Sequence, residues 1–269
     1  MQRFIIVKIS VITTFYNAQE TIPDTLNSVI KQDSSLDIEY VLIDALSSDN
    51  SLSIVNDITK DFGKVKIISE PDSGIYDGMN KGIKYASGDI IAIINADDYY
   101  TVNALKYVHD QFSNNDSLQI LAASISRLDV QSNQRKELPR SKYSSLRINS
   151  AAIHHPAIFI RRDVYDTMGY YDTSFKVCAD FDFVNRAQAR GGFTIKESDF
   201  ITTIVREGGV SEDTRFQLIK LKEQYRASIG LSFFDKLQLL RKAITNFLYL
   251  NKKKMEKKEV KGDETKWFH

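Results

Sequence analysis

Four short runs rich in β-branched residues constrain the chain most: Ile9-Ser10-Val11-Ile12-Thr13, Tyr40-Val41-Leu42-Ile43, Val65-Lys66-Ile67-Ile68 and Ile90-Ile91-Ala92-Ile93-Ile94. Between them, Ala18 to Lys31, Ser51 to Phe62 and Tyr76 to Tyr85 have helical spacing. A strand that is apolar on successive residues has no face to give to water, so it must be covered on both sides. Strands of this kind alternating with helices predict an α/β fold with a mainly parallel sheet between two helical layers. In such sheets ligands sit outside the carboxyl ends of the strands, and the residues that end each run become the ones to inspect.

Those ends are polar. The first is Thr13-Thr14-Phe15-Tyr16-Asn17, the second Asp44, the third Glu70-Pro71-Asp72-Ser73-Gly74 and the fourth Asn95-Ala96-Asp97-Asp98. One Asp or Asn at a strand end is ordinary, because these residues cap helices and make turns. Four adjacent ends of this kind define a polar rim. Two neighbouring carboxylates repel and raise each other's pKa, a cost that a divalent cation removes. Oxygen ligands in small number suit Mg²⁺ or Mn²⁺, which complete their shells with water and substrate phosphates. A nucleotide diphosphate is the natural third party, with the cation stabilising charge on the departing phosphate.

With 269 residues the chain can bury one substantial core and a small appendage. A formal charge of +1 gives no reason to expect nucleic acid as a partner. The single cysteine, Cys178, excludes an intramolecular disulfide and a cysteine-based zinc site, and fits a reducing, cytoplasmic compartment. The N-terminal apolar stretch is interrupted by Lys8 and reads as a first strand, and no run reaches the roughly 18 apolar residues of a spanning helix.

Further along, Leu121 to Ile125, Ala157 to Ile160 and Phe193 to Ile195 read as strands, and Asp180 to Arg190 as a helix. Gln131 to Ser150 reads as a long loop over the site, and Gly208-Gly209 as a turn with positive φ. The expected division is a catalytic domain over 1–210 and a helical, basic extension over 211–269.

The order Thr-Phe-Tyr-Asn, Asp44, Pro71-Asp72-Ser73-Gly74-Ile75-Tyr76-Asp77-Gly78-Met79-Asn80-Lys81-Gly82 and Asn95-Ala96-Asp97-Asp98 resembles family 2 glycosyltransferases over roughly residues 8 to 210. The middle stretch resembles bacterial enzymes of capsule, colanic acid and O-antigen assembly. The resemblance implies a GT-A fold and a metal-dependent transfer of sugar from a nucleotide diphosphate donor. It implies Thr14, Tyr16, Asp44, Asp72, Lys81 and Asp97 along the donor, with Tyr16 and Asp44 at the base. Asp98 becomes the leading metal ligand, with Asp97 beside it. Three positions depart from the family's pattern: Asn95 replaces the first acid of Asp-x-Asp, Met79 a frequent Arg, and Ala179 a frequent Glu.

Transfer with inversion requires a base for the acceptor hydroxyl, a contribution of roughly 10²–10⁴-fold. Cys178-Ala179-Asp180-Phe181-Asp182 resembles the family's Glu-Asp-x-Asp, which makes Asp180 the base. Asp180 and Asp182 are about 200° apart on a helix, so only one can face the donor. Of His154 and His155, which cannot both face one way on a strand, His155 is expected to line the acceptor.

Between 233 and 258, Phe234, Leu237, Leu240, Ile244, Phe247 and Leu248 lie along one helical face, amid eight lysines and arginines. A basic amphipathic helix can rest on an anionic bilayer, or pack its stripe on the catalytic domain. The expectation is therefore an inverting glycosyltransferase that extends a glycan or polyprenyl-diphosphate-linked acceptor at the inner face of the membrane. A UDP-sugar is the expected donor, with GDP- or dTDP-sugars as alternatives. Other readings are action directly on polyprenyl phosphate, a sugar nucleotidyltransferase, and a non-catalytic sugar-nucleotide-binding protein.

Overall fold

Two-sided burial of the early strands organises the chain. The computed structural model describes residues 7–138, 154–208 and 216–228, with the isolated helical positions 237, 241 and 245. β1 (Ile9–Phe15), β2 (Ile38–Asp44), β3 (Val65–Ser69) and β4 (Ile90–Ile93) pair in parallel in the order β3-β2-β1-β4. Alternate side chains enter opposite cores. Ile9, Val11, Tyr40, Leu42, Ile90 and Ala92 face α1 (Ile22–Ile30), α2 (Ser51–Thr59) and α4 (Ala104–Ser113). Ile12, Val41, Ile43, Ile91 and Ile93 face α3 (Ile75–Tyr85), α5 (Arg162–Met168) and α6 (Ala179–Arg190). Each fully enclosed aliphatic side chain contributes about 1.5–3 kcal/mol, so the two layers hold the sheet firmly from both sides.

Beyond β4 the sheet continues through β8 (Ile158–Arg161), β6 (Ile120–Asp129), β9 (Ile195–Arg206) and β5 (Tyr99–Tyr100), with β7 (Gln134–Leu138) paired to β6. β8, β5 and β7 pair antiparallel to their neighbours, so six of the nine strands run one way. This is a mixed, mainly parallel α/β sandwich.

Two sequence expectations change, and a third is only sampled. The segment read as a loop from Gln131 begins with β7, a second arm of a hairpin with β6; the rest of it, 139–150, lies outside the described residues. Of the expected strand Phe193 to Ile195 only Ile195 is in a strand, which begins there and runs to Arg206. The helix expected through 233–258 lies outside the described residues except Leu237, Arg241 and Thr245, which are helical and exposed. Gly208 has φ +103, as a tight turn requires; Gly209 lies outside the described residues. α7 (Gln217–Ala227) follows, and among the described residues no helix is long and apolar enough to cross a membrane.

Candidate active site

The carboxyl ends of β1 and β2 are fastened to each other. Asn17, at φ +49, accepts the backbone N–H groups of Ser48 and Asp49 through Oδ1, and its own N–H donates to Ser47 Oγ. The interlock leaves Tyr16 on the rim, 61% exposed. Beneath it Asp44 is fully buried; Oδ1 accepts the Ser47 N–H at 2.9 Å and Oδ2 the Ser69 hydroxyl at 2.6 Å. Asp44, expected at the base, thus braces the ends of β2 and β3 with both carboxylate oxygens engaged.

Thr14 and Asp72 converge on α3. Asp72 Oδ1 accepts the Gly74 N–H at 3.0 Å. A Cβ at position 78 would lie 3.0 Å from Thr14 Cγ2 and 3.1 Å from Asp72 Oδ2, so a glycine there lets the two approach. Lys81 points back at the same loop: its ammonium donates to the Pro71 carbonyl at 2.6 Å and lies 3.2 Å from Glu70 and 3.5 Å from Asp77. Burial alone would lower its pKa, but Glu70 and Asp77 together raise it above the ordinary lysine value. Its charge is engaged in shaping the loop that carries Asp72. Met79 enters the core, fully buried, and Asn80 exchanges two hydrogen bonds with the backbone of Tyr171, at 2.9 and 3.0 Å.

After β4 the chain turns through Asn95 to Asp98, resting on α1. The Thr25 hydroxyl donates to the Asp98 carbonyl at 2.7 Å, and Gln32 Nε2 to the Thr101 carbonyl at 3.0 Å. The two acids differ. Asp98, expected as the leading metal ligand, is 2% exposed; Oδ1 accepts the Arg206 backbone N–H at 3.2 Å and Oδ2 the Asn95 amide at 3.1 Å. Burial, and then the charge of Asp97, push its pKa up to about 7. Asp97 is half-buried, and among the described residues no side chain donates to its carboxylate. Arg206 holds the turn from β9, donating from Nη1 to the Asp97 carbonyl at 2.7 Å, pairing with Asp24 and lying 5.1 Å over the Tyr99 ring.

Asp180 sits in the first turn of α6, whose N-cap is Cys178. Oδ1 accepts the Tyr76 hydroxyl at 3.3 Å, and Oδ2 lies 3.5 Å from His155 Nδ1. Burial alone would raise its pKa, but His155, the Phe181 N–H and Tyr76 bring it below the ordinary carboxylate value. Asp182 faces the other way, to Arg186 at 2.7 Å, as their helical separation requires. His155 Nε2 is 2.9 Å from Asn95 Oδ1, so the acidic turn and Asp180 are joined side chain to side chain. His154 is held neutral: burial, with the Arg127 charge, lowers its pKa to about 3.

Two residues here were invisible to the sequence reading. Arg206 arrives from a strand end over a hundred residues beyond the turn it clamps. Glu223 of α7 accepts the backbone N–H groups of Lys176, Val177 and Cys178 at 2.6, 2.9 and 3.0 Å, immediately before Asp180. No local motif marks either residue.

The sequence profile of glycosyl transferase family 2 matches residues 10–169, which include β1 to β4, both rims of the acidic turn and His155. The chain belongs to this family. A PGL/p-HBAD biosynthesis glycosyltransferase of Mycobacterium bovis is 27% identical over 205 residues, covering 75% of this chain and 78% of the relative. Among solved structures, S. aureus TarS 1–349 in complex with UDP-GlcNAc superposes with a TM-score of 0.69 at 21% identity, over 89% of this chain and 72% of that one. The mannosyltransferase PcManGT of Pyrobaculum calidifontis, in complex with GDP-Man and Mn²⁺, gives 0.65 at 16% identity, over 91% and 74%. These likenesses establish the GT-A fold.

Proposed function

We propose that the chain is an inverting glycosyltransferase that moves a sugar from a nucleotide diphosphate, a UDP-sugar first among the candidates, to a lipid-linked or oligosaccharide acceptor. The observation that carries this reading is the position of Asp180. A carboxylate kept ionised, held on Oδ1 by Tyr76 and on Oδ2 by His155, is joined through His155 and Asn95 to the turn that bears the half-buried Asp97. That is the pairing that single displacement needs: a base on one side, a site for the leaving phosphates on the other.

In this reading Tyr16 stacks on the base, Asp44 fixes the turn beneath it, and Thr14 and Asp72 border the ribose and phosphates. Lys81 holds the Asp72 loop. Asp180 accepts the proton of the acceptor hydroxyl as its oxygen bonds to the anomeric carbon and the bond to the diphosphate breaks. Asp97, with no donor on its carboxylate, fits a Mg²⁺ or Mn²⁺ held by one or two carboxylates together with phosphates and water; Asp98 stands behind it. Such an ion would neutralise charge on the leaving diphosphate. UDP-GlcNAc in TarS and GDP-Man in PcManGT support a nucleotide-sugar here. The M. bovis relative is itself a biosynthetic glycosyltransferase, which supports transfer to an acceptor; a lipid-linked acceptor at the inner face of the membrane is the setting the sequence resemblance implies.

A panel of UDP-, GDP- and dTDP-sugars with Mg²⁺ or Mn²⁺, scored for nucleoside diphosphate release and product anomer, tests the proposal. D180N should lose at least about 10²-fold in kcat with donor binding intact, and D97N should lose metal stimulation. An anomer retained in the product, or full turnover by D180N, overturns it.

A further inference from the structure

His155 stands between the two halves of the site. Its Nε2 lies 2.9 Å from Asn95 Oδ1, an atom that only accepts, so this nitrogen carries a proton. Asn95 Nδ2 donates in turn to Asp98 Oδ2 at 3.1 Å. In this orientation the amide donates to Asp98 and accepts from the ring. The other ring nitrogen, Nδ1, lies 3.5 Å from Asp180 Oδ2, and the ring is largely enclosed, with 18% of its side chain exposed. With Nε2 donating to Asn95, Nδ1 can hold a carboxylate only if it too carries a proton, so the bridge is that of a doubly protonated ring, a donor on both edges.

We infer that His155 is a positioning residue: clamped by Asn95 at Nε2, it uses Nδ1 to orient the Asp180 carboxylate and ties that carboxylate to the turn bearing Asp97 and Asp98. The inference rests on Asp180 being the base. It also gives Asn95 a reason. An aspartate at 95 would accept from His155 but would set two carboxylates 3.1 Å apart at Asp98, whereas an amide donates there and accepts at the ring. The neighbouring His154 makes a control, because burial and Arg127 hold it neutral and no such bridge passes through it.

The experiment is a ¹³Cγ titration of aspartate-labelled, full-length protein in chelator, with Asp180 assigned from D180N. The groups facing Asp180 are Tyr76 on α3, His155 and His154 before β8, Tyr171 before α6, and Cys178 at the N-cap. Of these only His155 places a ring nitrogen against Oδ2. H155A should raise the proton affinity of Asp180 at least about tenfold. H155N places an N–H where Nδ1 was and should recover most of the change; H155Q places one near Nε2 and should not. An unmoved Asp180 in folded H155A, or equal recovery by H155Q and H155N, overturns the inference. Should H155A fail to fold, the contrast between H155N and H155Q decides alone. A D180N enzyme that still releases nucleoside diphosphate would remove the base on which the inference rests, whatever the titration gives, so the two failures are distinguishable.

Discussion

Replacing Glu223 by alanine should damage the site from outside the segment that the sequence marks as catalytic. Its carboxylate is 8% exposed and takes three backbone N–H groups, those of Lys176, Val177 and Cys178. These N–H groups belong to the segment that leads into α6 and to its N-cap, and the positive end of the helix favours an anion, so this carboxylate both holds that segment and complements the helix. A hydrogen bond to a charged group contributes about 1.5–3 kcal/mol. The three are not additive, since they share one acceptor and Lys176 lies near enough to solvent for its N–H to find water. The Cys178 N–H has no such recourse because the residue is buried. The expected loss is about 3 kcal/mol, or roughly 6–12 °C in Tm for a chain of this size. E223Q keeps one accepting oxygen and should lose about half as much. Urea and calorimetric unfolding measure both variants. Asp180 lies two residues beyond the capped segment, so kcat should fall more than KM rises. An E223A protein with wild-type Tm and kcat would show that α7 does not hold the N-terminus of α6.

Asp98 gives a pH prediction. Its pKa is raised to about 7 in the folded protein from 3.8 in the unfolded chain, so between these values the folded state binds the extra proton and stability falls as pH rises. In chelator, the wild type should lose about 3 kcal/mol between pH 4 and 7 relative to D98N; parallel urea-midpoint profiles would refute this. Gly82 gives a packing prediction. A Cβ there would lie 2.3 Å from Ile12 Cγ2 in a fully buried layer, so G82A should cost about 1–3 kcal/mol. The I12A/G82A double variant should cost less than the sum of the single changes, and strict additivity in urea unfolding would refute the contact.

Legibility in the sequence followed burial. β1, β2 and β4 were readable because both faces of each meet a helical layer, and the half-buried edge strand β3 because Val65, Ile67 and Ile68 still pack on the two cores; the polar residues inside these runs are few, Ser10, Thr13, Thr14, Glu39 and Lys66. β9 was not, because most of its first half is exposed and only Thr202 to Ile204 is buried, so Lys196 to Phe200 carries no strand period. β7 is exposed along nearly its whole length and exists through its pairing with β6, a long-range fact. The rim was legible for the same reason as the strands: where a buried strand ends, polar residues stand out. What could not be read was which atoms those residues spend on one another. Asp44 and Asp98 look alike in sequence to Asp72 and Asp97, yet the first pair is enclosed with both oxygens engaged.

The three departures from the family's pattern are therefore better judged by their surroundings than by their absence from a motif. Met79 is fully buried against the second core, so no side chain at that position on this backbone reaches a phosphate without unpacking α3. Ala179 is likewise fully buried at the start of α6, where a glutamate would put an unpaired charge into a packed layer at a cost of several kcal/mol. Asn95 is engaged at both ends of its amide. Had these positions decayed from an ancestral active site, the expected trace would be polar atoms left without partners where acids once stood. Around Asn95, Asp98, His155 and Asp180 the opposite holds, since each of them faces a partner whose chemistry matches its own. That argues against a binding protein that has lost turnover and for a site adjusted around a neutral residue at position 95.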